Sequence, residues 1–269
     1  MDLERELTAR LAGRTKIIGK KVLWLEETDS TNLVCRRMAG EGEAEGLAVL
    51  ARAQSAGRGR RGRSFQSEKD LGMYLSVLLR PVQDMQVLSN MTAWVAVAVC
   101  DGVEKAAGVR PEIKWINDII LGGKKLGGIL TELGLEPGTG KIDHLVVGIG
   151  LNVNQSREDF APELREMATS LALELENPPT LPELAACILE ALDHMYENFP
   201  DNRAEYLDKY RAGCVTTGRQ VQLITPASRE EGEALAIDGA FRLVVRMAGG
   251  EERAVSAGEV SVRGMYGYL

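Results

Sequence analysis

The stretch KWINDIILGGKKLGGILTEL, residues 114–133, consists of short apolar runs separated by glycines, with polar residues at their ends. The apolar runs predict two β-strands, and the glycine-containing segment between them predicts the turn of a hairpin. Such a hairpin would bring Asn117 and Asp118 close to Lys125, so that an amide, a carboxylate and an ammonium group meet. The alternative is a surface hairpin whose Asp and Lys are merely solvated.

Similar apolar runs surround this hairpin and alternate with helical patterns. They predict seven strands: VLWLEE (22–27), LAVLARA (47–53), MYLSVLLR (73–80), IKW (113–115), DIIL (118–121), KLGGILTEL (125–133) and HLVVGIGLN (144–152). Helices are predicted from a cap at Asp29 or Ser30 to Met38, over 87–107, after the capping box from Thr180 to Glu183, and from Asp201 to Arg211 before Gly213. The second of these is apolar nearly all round, which is typical of a helix buried against a sheet.

After residue 217 the pattern changes to short strands separated by turn signals such as Asp238-Gly239 and Gly249-Gly250. The predicted strands are GRQVQLIT (218–225), EGEALAI (231–237), FRLVVRM (241–247), RAVS (253–256) and GEVSVR (258–263). About 50 residues of this kind predict a small β-barrel.

The overall composition is that of a folded globular protein, with 269 residues, 45% hydrophobic and 26% charged. A net charge of −7 argues against a broad nucleic-acid-binding surface, so any basic site must be local. The four cysteines lack CxxC spacing, which argues against a disulfide framework and a zinc site. The N-terminus shows no signal segment, and the most apolar run, 91–100, is too short for a membrane span. A cytoplasmic protein is expected.

The most unusual segment is GRGRRGR, residues 57–63, which has four arginines and three glycines directly after a predicted strand. It matches the spacing GxGxxG, yet no helical pattern follows it, which argues against a Rossmann nucleotide loop. Glycine backbone and guanidinium groups suit an anion, so the loop is expected to be mobile when empty and to fold over a phosphate-containing ligand. The alternative is a solvated basic hairpin tip or an RNA contact.

Five segments together resemble the biotin–protein ligase family in order and spacing. They are Asp29-Ser30-Thr31-Asn32, Gln54 with GRGRRGR, KWIND at 114–118, Lys125-Leu126-Gly127-Gly128 and Gly148-Ile149-Gly150-Leu151-Asn152. The resemblance implies an α+β fold with two parts. A catalytic domain like that of class II aminoacyl-tRNA synthetases, a mixed sheet flanked by helices, is expected over residues 1–215, and an SH3-like β-barrel over 216–269.

The resemblance also implies a biotin–[acetyl-CoA-carboxylase] ligase that uses ATP and Mg²⁺ to form biotinyl-5'-AMP and then passes biotin to a carrier lysine. The catalytic residues implied are Lys125, Arg60 and Asp118, the last to orient or deprotonate the incoming lysine. The implied biotin contacts are Ser30, Thr31, Asn32, Gln54, Gly57, Arg58, Gly59, Arg60, Lys125 and Gly128. The implied ATP or adenylate contacts are Arg58, Arg60, Arg61, Arg63, Asn117, Lys125 and Asn152. No metal ligand is assigned.

The sequence departs from the family pattern in two places. Ile116 stands where the family usually has proline, and only about 20 residues precede the first predicted strand, too few for the winged helix-turn-helix of bifunctional relatives. No specific DNA binding and no membrane association are therefore expected. The expected partner is a biotin carboxyl carrier protein of acetyl-CoA carboxylase or a related carboxylase, and the resemblance is compatible with a homodimer.

Two other functions compete with this interpretation. A lipoate– or octanoate–protein ligase shares the catalytic architecture and also acylates a carrier lysine, but the arginine-rich loop followed by KWIND and KKLGG favours biotin. A non-catalytic RNA- or anion-binding protein could use the same loop, and it would show salt-sensitive binding without ATP turnover.

Overall fold

The computed structural model describes residues 2–225, 228–256 and 261–264. Within these ranges seven α-helices form: α1 Leu3–Leu11, α2 Thr31–Gly40, α3 Met85–Leu88, α4 Met91–Ala107, α5 Leu171–Glu174, α6 Leu181–Glu197 and α7 Arg203–Gly213. The same ranges contain twelve strands: β1 Lys21–Leu25, β2 Leu47–Ala51, β3 Gly72–Leu79, β4 Glu112–Lys114, β5 Asp118–Leu121, β6 Lys124–Leu135, β7 Ile142–Asn152, β8 Gln220–Ile224, β9 Arg229–Ile237, β10 Leu243–Met247, β11 Glu252–Val255 and β12 Ser261–Gly264. The seven strands predicted between residues 22 and 152 are confirmed.

These first seven strands form one mixed sheet in the order β1-β2-β3-β7-β6-β5-β4. β1 and β2 run parallel and are connected by α2, whereas the other neighbouring pairs are antiparallel. Every residue of β2 and β3 is buried, as expected for strands covered on both faces. In β7, Val147 packs in the main apolar core while Val146 packs on the α2 side. The predicted mixed sheet flanked by helices is therefore confirmed.

Helix α4 lies in the main core, and eleven of its seventeen residues are buried. The predicted buried helix is confirmed, as is its end at Gly108, which has a φ of 69°. Its predicted start at Val87 is wrong. Asp84 accepts the backbone N–H of Val87 at 2.9 Å and caps the separate short helix α3, and the Ser89 hydroxyl donates to the Gln86 carbonyl at 2.7 Å. Local side-chain bonds end this first turn before α4 begins.

The last predicted helix is confirmed with bounds two residues later than expected, because α7 begins at Arg203 rather than about Asp201 and includes Gly213. Asn202 occupies the N-cap position. Beyond the helix, the backbone N–H of Val215 donates to the Ile113 carbonyl of β4 at 2.9 Å. Pairing with the sheet, rather than the glycine, therefore sets where the chain leaves the helix.

Helix α6 begins as predicted, with the Thr180 hydroxyl accepting the backbone N–H of Glu183 at 3.4 Å. Its buried Asp193 accepts the backbone N–H groups of residues 16, 17 and 18 at 2.7, 2.8 and 2.7 Å. Helix α6 therefore fixes the segment that connects α1 to β1. Within the described ranges, no helix has both the length and the apolarity needed to cross a membrane.

The last five strands form a separate antiparallel sheet in the order β11-β10-β9-β8-β12. This agrees with the predicted small β-domain, although residues 258–260 of its last predicted strand lie outside the described residues. Its buried side chains, Phe241 among them, share one apolar cluster with the first sheet. The Trp115 indole N–H donates to the Phe241 carbonyl at 3.0 Å. The domain boundary between residues 215 and 216 remains a prediction.

The crossing of α4 and α6 generates a test of the core. A Cβ atom added at Gly102 would lie 2.6 Å from the Ile188 Cα atom, so Gly102→Ala must push the two helices apart. We expect a loss of about 1–3 kcal/mol in the free energy of unfolding, measured by urea denaturation. The control is Gly213→Ala, because no atom lies within 4 Å of a Cβ added there. The control should be unchanged or gain up to about 1 kcal/mol, and equal stability of both variants would contradict the close crossing.

Candidate active site

A cavity of about 160 Å³ lies between the start of α2, the arginine-rich loop and the strands β3 to β7. Thirteen predicted site residues line it: Ser30, Thr31, Asn32, Gln54, Arg58, Gly59, Arg60, Arg61, Arg63, Asn117, Asp118, Lys125 and Gly128. Segments that are up to about a hundred residues apart in the chain thus meet at one place. We call this space the ring cavity.

The floor of the ring cavity is a part of the sheet where glycines replace side chains. A Cβ atom added at Gly148 would lie 2.1 Å from the Asn32 Oδ1 atom, and one at Gly150 would lie 2.8 Å from the Phe65 ring. Gly150 is paired with Gly128 of β6. The glycines of the GIGLN segment therefore let an amide and an aromatic ring lie directly against the sheet backbone.

The start of α2 presents polar groups to the ring cavity. Ser30 occupies the N-cap position, but its side chain makes no capping hydrogen bond, so capping does not account for its hydroxyl. The preceding Asp29 accepts the backbone N–H of Ser30 at 2.6 Å. A hydrogen bond from Arg37 lowers the pKa of Asp29 to about 2. This carboxylate therefore stays ionised at neutral pH and holds the turn that presents Ser30.

Gln54 joins α2 to the loop that follows β2. Its Oε1 atom accepts the backbone N–H of Thr31 at 2.9 Å, and its Nε2 group donates to the Ser67 hydroxyl at 2.8 Å. The Ser67 hydroxyl in turn donates to the Phe65 carbonyl at 3.0 Å. The orientation of the Gln54 amide is therefore fixed from both sides.

Two residues behind the ring cavity were missed in the sequence analysis. The fully buried Ser76 lies 2.7 Å from the Thr31 hydroxyl and 2.6 Å from the Asn32 Oδ1 atom. Glu132 accepts from the Asn32 amide at 2.8 Å and pairs with Arg58 at 3.2 Å. Each is a polar residue inside a predominantly apolar strand pattern, Ser76 in MYLSVLLR and Glu132 beside Thr131 in GILTEL, which is the signal that could have found them.

The predicted hairpin is confirmed, with β5 and β6 antiparallel and Asp118 opposite Gly128. The Lys125 ammonium lies 2.6 Å from the Asp118 carboxylate, so the expected pair of charges is present. Asn117 donates from its amide to the Ile129 carbonyl at 3.0 Å and accepts from Arg60 at 2.8 Å. The Trp115–Ile116 peptide bond immediately before this group is cis.

The arginine-rich loop contains a single 3₁₀ turn over Arg60–Gly62 and no α-helix, which agrees with the rejection of a Rossmann loop. The Gly59 backbone N–H donates to the Arg63 carbonyl at 2.7 Å and holds the loop together. Burial lowers the pKa of the Arg60 guanidinium from its ordinary value, and the charges of its arginine neighbours act in the same direction. The loop therefore concentrates positive charge in a partly desolvated place.

Gly57, a predicted biotin contact, does not line the ring cavity. A Cβ atom there would lie 2.3 Å from the Phe65 carbonyl oxygen and 2.5 Å from the Ser67 hydroxyl. The Phe65 backbone N–H donates to the Gly57 carbonyl at 2.9 Å. Gly57 therefore allows the two arms of the loop to approach each other.

A second cavity, of about 680 Å³, adjoins the ring cavity and shares Arg63, Phe65, Lys114, Asp118 and Lys125 with it. We call it the outer cavity. Its remaining wall includes apolar residues from a segment whose role the sequence analysis did not predict, namely Phe160, Leu164, Met167 and Ala168. Lys125 lines both cavities. Its backbone N–H donates to the Met167 carbonyl at 2.8 Å, which ties β6 to the wall of the outer cavity.

Asn152 lines the outer cavity rather than the ring cavity. Its amide donates to the Thr169 carbonyl at 2.9 Å, and its Oδ1 atom accepts from Gln155 at 3.2 Å. Asn152 is thus separated from the Asn117 and Arg60 pair with which the sequence analysis grouped it. The predicted site residues therefore line two neighbouring cavities rather than one.

Comparisons with known proteins agree with this arrangement. The model of the Biotin/lipoate A/B protein ligase family matches residues 24–152. The Bifunctional ligase/repressor BirA of Bacillus spizizenii is 32% identical over 257 residues, 94% of this chain and 77% of that protein. The Biotin--[acetyl-CoA-carboxylase] ligase of Mycobacterium tuberculosis is 31% identical over 258 residues, 92% of each chain. The structure of the biotin protein ligase from Aquifex aeolicus in complex with biotin and ATP matches with a TM-score of 0.78 and 27% identity, covering 91% of this chain and 99% of that one. The chain belongs to the biotin/lipoate A/B protein ligase family.

Proposed function

We propose that this protein is an ATP-dependent biotin–protein ligase that makes biotinyl-5'-AMP and transfers biotin to a lysine of a carrier protein. The observation that carries the proposal is the position of Lys125, which lines both the ring cavity and the outer cavity. A cation at such a boundary is where a carboxylate in one cavity and a phosphate in the other would meet. The relatives named for biotin ligation support the same reaction.

In this proposal the ring cavity holds biotin. Ser30, Thr31, Asn32 and Gln54 offer hydroxyl and amide groups to its ureido ring. Gly59, Gly128, Arg58 and Arg60 line the same cavity as Lys125 and would contact the rest of the biotin molecule. Gly57 supports the loop, because the cavity does not include it.

The outer cavity would hold the nucleotide. Its apolar side, formed by Leu71, Phe160 and Leu164, suits a flat aromatic base, and Arg63 and Lys125 offer positive charge to phosphates. Arg61 and Asn117 line the ring cavity and not the outer cavity, and they would contact the adenylate from there. Asn152 would orient the nucleotide from the far side.

The first chemical step needs charge neutralisation more than proton transfer. A carboxylic acid with a pKa near about 4 is already ionised at neutral pH, so no general base is required. A biotin carboxylate oxygen forms a bond to the α-phosphorus of ATP, the bond from that phosphorus to the bridging oxygen breaks, and pyrophosphate leaves. Lys125, Arg58 and Arg60 would stabilise the negative charge that develops on the phosphoryl oxygens.

In the second step a carrier lysine amine attacks the biotinyl carbonyl, and AMP leaves. A free lysine has a pKa near about 10.4, so only a minute fraction is neutral at pH 7. Asp118 is a carboxylate that lines both cavities, and it could orient the incoming amine and accept its proton. Its 2.6 Å contact with Lys125 would hold it in place.

Mg²⁺ is expected to accompany ATP, and when bound it would neutralise phosphate charge. Among the described residues no group of three or more His, Cys, Asp and Glu side chains is arranged to hold a metal ion. Mg²⁺ in nucleotide sites commonly uses one or two protein groups together with phosphate oxygens. Asp118 and Asn117, which line the ring cavity, are the protein groups that would hold an ion delivered with the nucleotide.

We further propose a biotin carboxyl carrier protein as the acceptor, in keeping with the name of the mycobacterial relative. The homodimer and the lack of specific DNA binding remain predictions. The net charge of −7 supports the second, since it leaves little basic surface apart from the arginine-rich loop.

Substrate choice tests the function as a whole. Biotin should support exchange of labelled pyrophosphate into ATP, whereas lipoate and octanoate should not, because an alkyl chain offers no partner to the Ser30 hydroxyl and no donor to the Thr31 oxygen, and both residues line the ring cavity. Each unpaired buried group costs about 1–3 kcal/mol. Equal exchange with lipoate would favour a lipoate ligase, and anion binding without any exchange would favour a non-catalytic protein.

Lys125 tests the chemical step. Lys125→Ala should slow biotinyl-AMP formation about 10²- to 10³-fold in single-turnover assays, since a fixed charge at the reacting phosphate is worth about 3–4 kcal/mol. The matched control is Lys124→Ala, because Lys124 lines neither cavity. Near-normal adenylation by Lys125→Ala would remove this residue from the proposed mechanism.

A variant of Arg60 tests whether the arginine-rich loop covers biotinyl-AMP and keeps it in the site. Arg60→Ala loses the 2.8 Å bond to Asn117 that ties the loop to the β4–β5 turn, while Lys125 remains. Because Arg58 and Lys125 still stabilise the phosphoryl charge, the adenylate should form more slowly but escape, and it should label lysines of bystander proteins several-fold more than the wild type does on a biotin blot. Arg36→Ala on the exposed surface of α2 is the control. No increase over that control would contradict a covering role.

A further inference from the structure

Four residues form a continuous line of hydrogen bonds behind the ring cavity. Glu132 accepts from the Asn32 amide at 2.8 Å, the Asn32 Oδ1 atom lies 2.6 Å from the Ser76 hydroxyl, and that hydroxyl lies 2.7 Å from the Thr31 hydroxyl. Ser76 is 0% exposed, Thr31 3% and Asn32 4%. Thr31 and Asn32 line the cavity, whereas Ser76 and Glu132 lie behind them. Solvent therefore has little access to this line.

The direction of every bond in the line follows from its Glu132 end. The Asn32 Nδ2 group faces two atoms that can only accept, the Glu132 carboxylate at 2.8 Å and the Leu130 carbonyl at 3.4 Å. The Asn32 Oδ1 atom must therefore face Ser76 and accept its only hydroxyl proton. Because that proton is used, the 2.7 Å contact with Thr31 requires Thr31 to donate to Ser76.

The direction of this bond decides what Thr31 can offer to a ligand. Its single hydroxyl proton points away from the cavity, toward Ser76 at 2.7 Å rather than Gln54 at 3.2 Å. The Thr31 oxygen keeps lone pairs that can accept from a ligand in the ring cavity, which Thr31 lines. A ligand atom placed against Thr31 must therefore be an N–H or O–H donor, and an acceptor in the same place would meet lone pairs.

We propose that Ser76 and Glu132 are positioning residues that hold Thr31 as a hydrogen-bond acceptor, so that the ring cavity selects a ligand with an N–H group at that point. The inference rests on the proposed function, in which the N–H belongs to the ureido ring of biotin. The position of Gly148 supports it, because any side chain there would overlap Asn32 Oδ1 and displace the middle of the line.

The other oxygen of Glu132 forms an ion pair with Arg58, with an N–O distance of 3.2 Å. The same carboxylate therefore fixes the hydrogen-bond direction in the ring cavity and contacts the arginine-rich loop. The two contacts can be separated, since a carboxamide oxygen can replace the carboxylate toward Asn32 but its amide end cannot accept from Arg58.

The test uses binding of biotin and of two cyclic carbamate analogues, each with one ureido N–H replaced by a ring oxygen, measured by calorimetry. The wild type should bind at least one analogue roughly 10-fold or more weakly than biotin, because the lone pairs of Thr31 meet the ring oxygen. In Ser76→Ala the Thr31 proton loses its 2.7 Å acceptor, and the longer 3.2 Å contact with Gln54 leaves it able to turn toward the ring oxygen. The ratio of the two affinities should therefore fall several-fold.

Two Glu132 variants provide an independent measurement. Glu132→Ala should lower the affinity ratio because the Asn32 amide loses its anchor, whereas Glu132→Gln should keep the ratio, and both lose the ion pair with Arg58. Ser170→Ala removes an equally buried serine that caps α5, and it should leave the ratio unchanged even if stability falls.

The outcomes separate the two hypotheses. Failure of the wild type to bind biotin would overturn the proposed function and this inference with it. Binding of biotin with a wild-type ratio near one, or with the same ratio in Ser76→Ala and Glu132→Ala, would overturn the inference alone. A ratio that falls in those two variants and stays high in Glu132→Gln and Ser170→Ala is the expected result.

Discussion

The site depends on a part of the sheet that carries no side chains. Gly128, Gly148 and Gly150 lie side by side on β6 and β7, and Asn32 lies against Gly148 and Phe65 against Gly150. Because backbone amides in a sheet are already paired, this floor is rigid and needs no further polar partners. Asn32 and Phe65 are thus placed against a fixed surface. A side chain at Gly148 or Gly150 would displace them and alter the shape of the ring cavity.

Electrostatics then decides where chemistry can take place. The arginine-rich loop brings four guanidinium groups to a chain whose net charge is −7, so the positive potential is local. Carboxylates balance it at defined points, Glu132 at Arg58 and Asp118 at Lys125. A phosphate-bearing ligand adds the negative charge that the loop otherwise lacks. The bound substrate therefore offsets the repulsion between the arginines of the loop.

Several features were predictable from the sequence because local patterns decide them. Strand alternation, the helix break at Gly108 and the short distance from Asp118 to Lys125 around a hairpin involve neighbours in the chain. The resemblance identified most of the residues that line the ring cavity. The bounds of α4 and α7 were misjudged, because capping by Asp84 and pairing of Val215 with β4 compete with the helical pattern. Such competition depends on contacts that a sequence pattern does not contain.

The sequence by itself determined the elements, the polar segments and the family to which they point, since periodicity and glycine placement act over a few residues. Only the tertiary structure decided which of the two cavities each polar residue lines. Asn152 and the segment around Met167 belong to the outer cavity, Gly57 lies outside both, and Ser76 and Glu132 stand behind the ring cavity. These relations join residues about 40 to 100 positions apart in the chain, and only the sheet order and the packing of α2 against it bring them within hydrogen-bond distance.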